Sequence, residues 1–279
     1  MAQTFLAYLQ TPSEKRLAEF LVLNGFVPLI SALFAGWLCG KYIEGLPFRA
    51  MGAWFTDGWL KHLMLGIVFG GATLGIAVLI AIFAGGLSFE FNAVSGGSAI
   101  FKSFAVSFLI FSVVAAFEEA LFRGYILQTF SRSGLAWFAI ILTSVIFGTV
   151  HLGNPDAGVI STINTILGGL WFAFAYLKTR DLWFVWGMHF MWNWLQGAFF
   201  GIEVSGLTEI TTAPFLKEID KGPAWLTGEN YGIEGGIMCT TAILISITAI
   251  YILPIFKPSE EMLALTNPKK IRPQVSADE

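Results

Sequence analysis

Seven apolar stretches, each long enough as helix to cross lipid, constrain this chain more than any other feature. A hydrocarbon core about 30 Å deep needs roughly 20 residues of helix at 1.5 Å per residue. Stretches of that kind fall at 17–40, 63–86, 104–130, 135–151, 157–177, 182–201 and 232–256. Inside lipid an unpaired backbone N–H or C=O costs several kcal/mol, so only helices and closed barrels span it. Continuous apolar runs, rather than alternating ones, select helices. The expected fold is an all-α polytopic transmembrane helical bundle of about seven spans, or eight if a poorly apolar one lies within residues 1–61. Only 13% of the residues are charged, against about 25% in a soluble domain. The net charge is −3 and the basic residues are scattered, which excludes nucleic acid as a partner and leaves the lipid bilayer as the surrounding medium.

The remaining segments are short. Residues 41–61 interleave Trp54, Phe55, Trp59 and Leu60 with Lys41, Arg49 and Lys61, the pattern of an amphipathic segment in the headgroup region. A polar loop is expected at 202–231. From Lys257 onward the chain is too polar to bury a core of its own and is expected to be a disordered tail over 257–279. No repeat of 20–50 residues is visible, so residues 1–279 read as a single integral membrane domain. Cys39 and Cys239 each sit in an apolar run without a second cysteine at metal-binding spacing, and read as small packed side chains. The first apolar run has no cleavage pattern after it and reads as a retained anchor.

Positive-inside reasoning sets orientation. Lys41, Arg49, Lys61, Arg132, Lys178, Arg180, Lys257, Lys269, Lys270 and Arg272 fall on one side; Lys15, Arg16, Lys102, Lys217 and Lys221 fall on the other. The richer side is expected in the cytoplasm, and with it the C-terminus.

The third stretch carries Glu118, Glu119 and Arg123 where lipid tolerates no unpaired charge. Each costs about 2.5–3.5 kcal/mol at mid-membrane, so three together approach the whole net stability of a protein. Glu119 and Arg123 are four residues apart and share a helix face, whereas Glu118 is rotated about 100° away. Glu119 is therefore assigned to an ion pair and Glu118 to a cavity. A salt bridge that merely locks two helices accounts for Glu119 and Arg123 but gives no reason for Glu118.

Histidines add a second signal. The fourth stretch ends Phe147-Gly-Thr-Val-His151, and the sixth places His189, Asn193 and Gln196 on one polar stripe among tryptophans. A lone histidine on an apolar face is most often a core residue. Here depth argues otherwise, because Glu118 and His151 lie about 15 and 18 residues from the turn near Ser133, or some 20–27 Å from that surface at 1.5 Å per residue. His189 is shallower by the same count and needs a tilted helix or a sunken turn to join them. A carboxylate, two imidazoles and a carboxamide converging in lipid suit the activation of water. His62, next to Lys61 at a helix start, reads as an interfacial side chain.

These blocks, Glu118-Glu119-x-x-x-Arg123, Phe147-x-x-x-His151 and His189-x-x-x-Asn193, resemble in order the three motifs of the CAAX-protease and bacteriocin-processing family of intramembrane endopeptidases. The resemblance covers roughly 104–201, taken as the catalytic core. The loop from Gly222 through Tyr231 and Glu234-Gly235-Gly236 is also similar to the segment after the third motif in bacterial members, so a bacterial plasma membrane is the expected location.

The resemblance implies hydrolysis of a peptide bond near the membrane. Glu118, helped by His151, would activate a water; His189 and Asn193 would donate to the oxyanion; Glu119 and Arg123 would hold the site or bind the substrate's carboxyl end. Phe147, Trp192 and Gln196 are the candidate substrate contacts. Glu118, His151 and His189 could also hold zinc, although a metal-free mechanism is preferred. The implied partner is a peptide or protein substrate at the membrane, lipidated in some relatives.

Rival protease signatures are missing. There is no His-Glu-x-x-His, the run Ser95-Gly96-Gly97-Ser98 lies in a loop, and every aspartate falls outside the apolar stretches. Two other classes use similar residues: a proton-coupled transporter or channel, and a non-catalytic membrane scaffold or bacteriocin-immunity protein. The chain lacks the internal repeat expected of the first.

Overall fold

A computed structural model describes residues 21–208 and 210–266. The first helix, α1 (Leu21–Ile43), opens with a π-helical turn and is followed by α2 (Trp59–Phe83), α3 (Gly97–Arg132), α4 (Ala136–Gly153) and α5 (Val159–Thr179). These five are long and apolar enough to cross a membrane. Two shorter helices complete the bundle: α6 (Leu182–Trp194), extended by a π-helical segment Leu195–Phe200, and α7 (Ile237–Ile252). A terminal α8 (Glu260–Thr266) follows. The protein is a helical integral membrane bundle, and each expected apolar stretch holds one of these helices, although that at 232–256 is α-helical only over Ile237–Ile252. The start of the first stretch, with Lys15 and Arg16, lies outside the described residues.

Small residues set the packing. Lipid tails are as apolar as side chains, so helices in lipid associate through close van der Waals contact, which small residues allow. Gly66 and Gly70 of α2 press on α6, and a Cβ on them would stand 2.1 Å from the Phe184 carbonyl oxygen and 2.2 Å from that of Met188. Gly187 returns the contact against α2, 2.7 Å from the Leu63 oxygen. Pressed in this way, α6 becomes the central helix, with Phe184, Val185 and Met188 all fully buried. Gly169 of α5 meets Ser144 of α4 in the same manner.

The turn into α6 is sunk below the surface. Asp181 is buried, caps α6 by accepting from the Trp183 N–H at 2.9 Å, and pairs with His62 of α2 at 2.6 Å. Burial pushes the Asp181 carboxyl up, and the His62 contact opposes that shift. His62 is thus an interior residue and not the interfacial side chain expected, because the inward face of α2 carries it to the buried aspartate. The sunken turn also explains how His189 reaches the depth of Glu118: counting from Asp181 as a surface residue places it too shallow.

One end of the bundle gathers the basic residues. Arg132 pairs with Glu44 at 2.6 Å and Arg49 with Glu261 at 2.7 Å, while Arg180 donates to the Thr266 carbonyl at 3.1 Å. The last two contacts hold α8, whose Met262 is fully buried. The expectation of a disordered tail from Lys257 therefore fails for 257–266; residues 267–279 lie outside the described residues. The seven residues of α8 cannot fold alone, and their order comes from docking. Residues 41–61 form no continuous amphipathic helix. They hold a 3-10 turn, Phe48–Met51, and an aromatic group in which Phe55 and Trp59 pack on Trp183.

At the opposite end, β1 (Leu87–Phe91) pairs antiparallel with β2 (Leu216–Asp220), with Leu87 opposite Asp220. This small sheet adds to the all-α expectation. Leu-Ser-Phe-Glu-Phe alternates as a strand does, but its partner lies about 130 residues away, beyond any local signal.

Gly70→Ala should lower the thermal midpoint of the detergent-solubilised protein by an amount equivalent to roughly 1–3 kcal/mol, the usual range for overpacking. Gly75→Ala, where nothing lies within 4 Å of the added Cβ, should leave it unchanged or slightly raised. Equal midpoints for the two variants would contradict the α2–α6 contact.

Candidate active site

The three motif helices bring their polar residues to one cavity of about 110 Å³. Glu118 of α3, Phe147 and His151 of α4, and His189, Trp192 and Asn193 of α6 all line it. Two of these helices change character at or just past their motifs. α3 turns π-helical over Ala120–Leu127, directly after Glu119, and α6 does so over Leu195–Phe200, directly after Trp194. Such widened turns are uncommon and gather at functional sites.

Beneath the cavity lies a wholly buried ion cluster. Arg123 Nη1 donates to Glu119 Oε1 at 3.1 Å, and His189 Nδ1 meets the same oxygen at 2.9 Å. Arg123 Nη2 donates to the Gly169 carbonyl of α5 at 3.1 Å. Aromatic rings enclose the guanidinium, with Cζ 4.7 Å from the centre of Phe147 and 5.3 Å from that of Phe172. Arg123 is 0% exposed and Glu119 1%. Neither side chain lines this cavity. Phe172 also stacks on the His189 ring at 4.7 Å.

Glu119 therefore orients His189. With Nδ1 held by a carboxylate, Nε2 turns toward Glu118, whose Oε2 lies 3.6 Å away. His151 Nδ1 lies 2.7 Å from the Phe147 carbonyl oxygen. A carbonyl only accepts, so Nδ1 carries the proton and Nε2 is left as the basic nitrogen.

Gln196 departs from its expected role. It is fully buried, does not line the cavity, and donates from Nε2 to the Glu203 carbonyl at 2.6 Å. The π-helical segment after Trp194 rotates it off the stripe shared by His189 and Asn193, so it braces the following loop. Phe147 and Trp192 remain at the cavity wall.

A second polar group lines the cavity that motif spacing did not single out. Glu234 accepts from the Ser205 N–H at 2.7 Å, the Ser205 hydroxyl at 2.8 Å and Trp192 Nε1 at 3.1 Å. Asn164 of α5 donates to the Glu234 and Gly236 carbonyls, each at 2.8 Å. These contacts fasten the loop after α6 over the cavity. The sequence signal was the Glu234-Gly235-Gly236 run; its partners are scattered over 42 and 29 residues.

Residues 100–195 match the family described as Type II CAAX prenyl endopeptidase Rce1-like. The motif-bearing segment is thus similar to that family of endopeptidases. The match spans about a third of the chain and ends just after Asn193, so it takes in all three motifs and leaves out the Glu234 loop. No curated protein and no solved structure matches the chain. Among the described residues no three His, Cys, Asp or Glu side chains come together as a metal site would require. Glu118, His151 and His189 share the cavity without forming such a group.

Breaking the buried pair should be costly. Arg123→Met should destabilise the protein by roughly 3–5 kcal/mol, the usual cost of leaving a buried partner charge uncompensated. Glu118→Gln, at the cavity wall, should cost well under half of that. Denaturant unfolding in detergent compares the two.

Proposed function

We propose that the chain is an intramembrane endopeptidase in which Glu118 and His151 activate a water at the cavity wall. The observation that carries this reading is the meeting of Glu118, His151, His189 and Asn193 around one cavity, on the residues that match an endopeptidase family. The match also weighs against a transporter or a scaffold. Glu118 takes the proton from water, aided by the basic Nε2 of His151, as the water adds to the peptide carbonyl. Glu118 then returns the proton to the leaving amine. Among low-dielectric surroundings the shuttle needs no covalent intermediate.

Oxyanion stabilisation falls to His189 and Asn193. This sets a condition on His189. Its Nδ1 already donates to Glu119, so donation from Nε2 as well requires the imidazolium form, in which both ring nitrogens carry a proton. Asn193→Ala should reduce kcat without abolishing it. The scheme uses no metal, and no step is routed through one.

Glu118→Ala, His151→Ala and His189→Ala should each lower turnover of an identified membrane-peptide substrate by at least a thousandfold while the protein stays folded in detergent. A strong chelator should leave wild-type turnover intact, with far less than one zinc per chain by elemental analysis. Wild-type turnover by Glu118→Ala rejects the mechanism; stoichiometric zinc lost and regained with activity rejects its metal-free form.

The basic end of the bundle, with Arg49, Arg132, Lys178 and Arg180, is taken as cytoplasmic by the positive-inside rule. The loop over the cavity then faces the external side. A cysteine at the exposed Gly153, with Cys39 and Cys239 replaced, should react with an impermeant thiol reagent added to intact cells. Labelling only after the cytoplasmic face is opened reverses the orientation.

A further inference from the structure

The charge of the cavity wall bears on which peptide bonds fit. Among the described residues the titratable groups at the wall include Glu118, Glu234, His151 and His189, and no lysine or arginine. The motif guanidinium, Arg123, is sealed beneath Phe147 and Phe172 and gives Nη1 to Glu119 and Nη2 to Gly169. Its charge is already matched by Glu119. The two histidines are committed as well: His189 lies between Glu119 and Glu118, and His151 is held through Nδ1 by the Phe147 carbonyl.

Glu234 makes the wall more anionic. Its three contacts are all donated to it, by Ser205 N, Ser205 Oγ and Trp192 Nε1, and every donor is neutral. That pattern satisfies an ionised carboxylate and supplies no cation to cancel it. Trp192 is the neighbour of Asn193, so the carboxylate sits on the same stretch of wall that handles the scissile carbonyl.

An enzyme that releases a short C-terminal peptide must accommodate a free α-carboxylate a few residues from the bond it cuts. Three extended residues span about 10 Å, a length that keeps the terminus near the wall lined by Glu118 and Glu234. A buried carboxylate facing the Glu234 carboxylate, where the wall's cationic groups are already paired with Glu118 and Glu119, is strongly disfavoured. A chain that continues past the cavity brings no such charge.

Resting on the endopeptidase reading, we propose that this cavity takes an internal peptide bond and discriminates against a free carboxyl terminus close to the bond, with Glu234 as the residue that sets the discrimination. The substrate class is then a membrane-associated peptide or protein cut within its length. A lipid-modified C-terminal tetrapeptide is a poorer substrate unless its terminal charge is removed or carried further away.

The test has two parts. Membranes containing the wild-type protein and the Glu118→Ala variant are compared by mapping new peptide termini. Cleavage dependent on Glu118 should map to bonds well inside their proteins. Loss of only three terminal residues as the main event overturns the proposal, and the absence of any Glu118-dependent product overturns the endopeptidase reading itself. In the second part, the best mapped sequence is made as peptides ending three residues after the cut, as free acid or as amide. The wild-type protein should favour the amide at least tenfold in kcat/KM. Glu234→Gln should bring that ratio toward one, and a ratio unchanged in a folded Glu234→Gln protein removes Glu234 from the role. The acid–amide comparison on wild type stands without the variant: equal cleavage, or preference for the acid, overturns the proposal.

Discussion

A charge cannot be left alone in lipid, and the buried cluster of Glu119, Arg123 and His189 is how this protein meets that requirement. Arg123 holds α3 to Glu119 on its own helix and to the Gly169 carbonyl on α5, and Glu119 reaches across to α6 through His189. Three helices are thereby fixed in rotation and depth relative to one another. The stabilisation is conditional, because a buried ion group repays its desolvation only while every partner is in place. Aromatic rings around the guanidinium exclude water and supply cation–π contact in its stead. The polar wall above it inherits this placement.

Backbone proximity complements the ion cluster. Glycines on α2 and α6 allow the two helices to approach at contact distance, and the buried His62–Asp181 pair secures the same interface at its end. A helix anchored in this way at its start and pressed along its length has little freedom to move His189 or Asn193. Positional precision matters in a hydrolytic site, where small displacements of donors and bases are expensive in rate. The more open side of the cavity is finished by the loop after α6, and there the fastening is by hydrogen bonds to Glu234.

The proposed division between holding and reacting residues follows access to the cavity. Glu119 and Arg123 are sealed, while Glu118, His151, His189 and Asn193 border the cavity. Adjacent carboxylates in the chain thus take different tasks because a helix turns about 100° per residue. Gln196 shows the limit of that rule. A regular helix would keep it on the stripe of His189 and Asn193, but the π-helical segment after Trp194 carries it to the backbone of Glu203.

The amino-acid sequence by itself determined the membrane class, the approximate helices, and the separate placing of Glu118 and Glu119, because each depends on local periodicity and on the cost of charge in lipid. It also determined that Glu118 and His151 stand at similar depth, since both are counted from one short turn. Tertiary structure alone decided the rest. The depth of His189 depends on a turn sunk by the His62–Asp181 pair, the order of 257–266 depends on docking against Arg49 and Arg180, and the pairing of β1 with β2 joins residues far apart in the chain. Glu234 acquires its meaning only when Ser205 and Trp192 are brought to it. In each case the deciding contact lies between segments distant in sequence, where no local pattern of residue types carries the information.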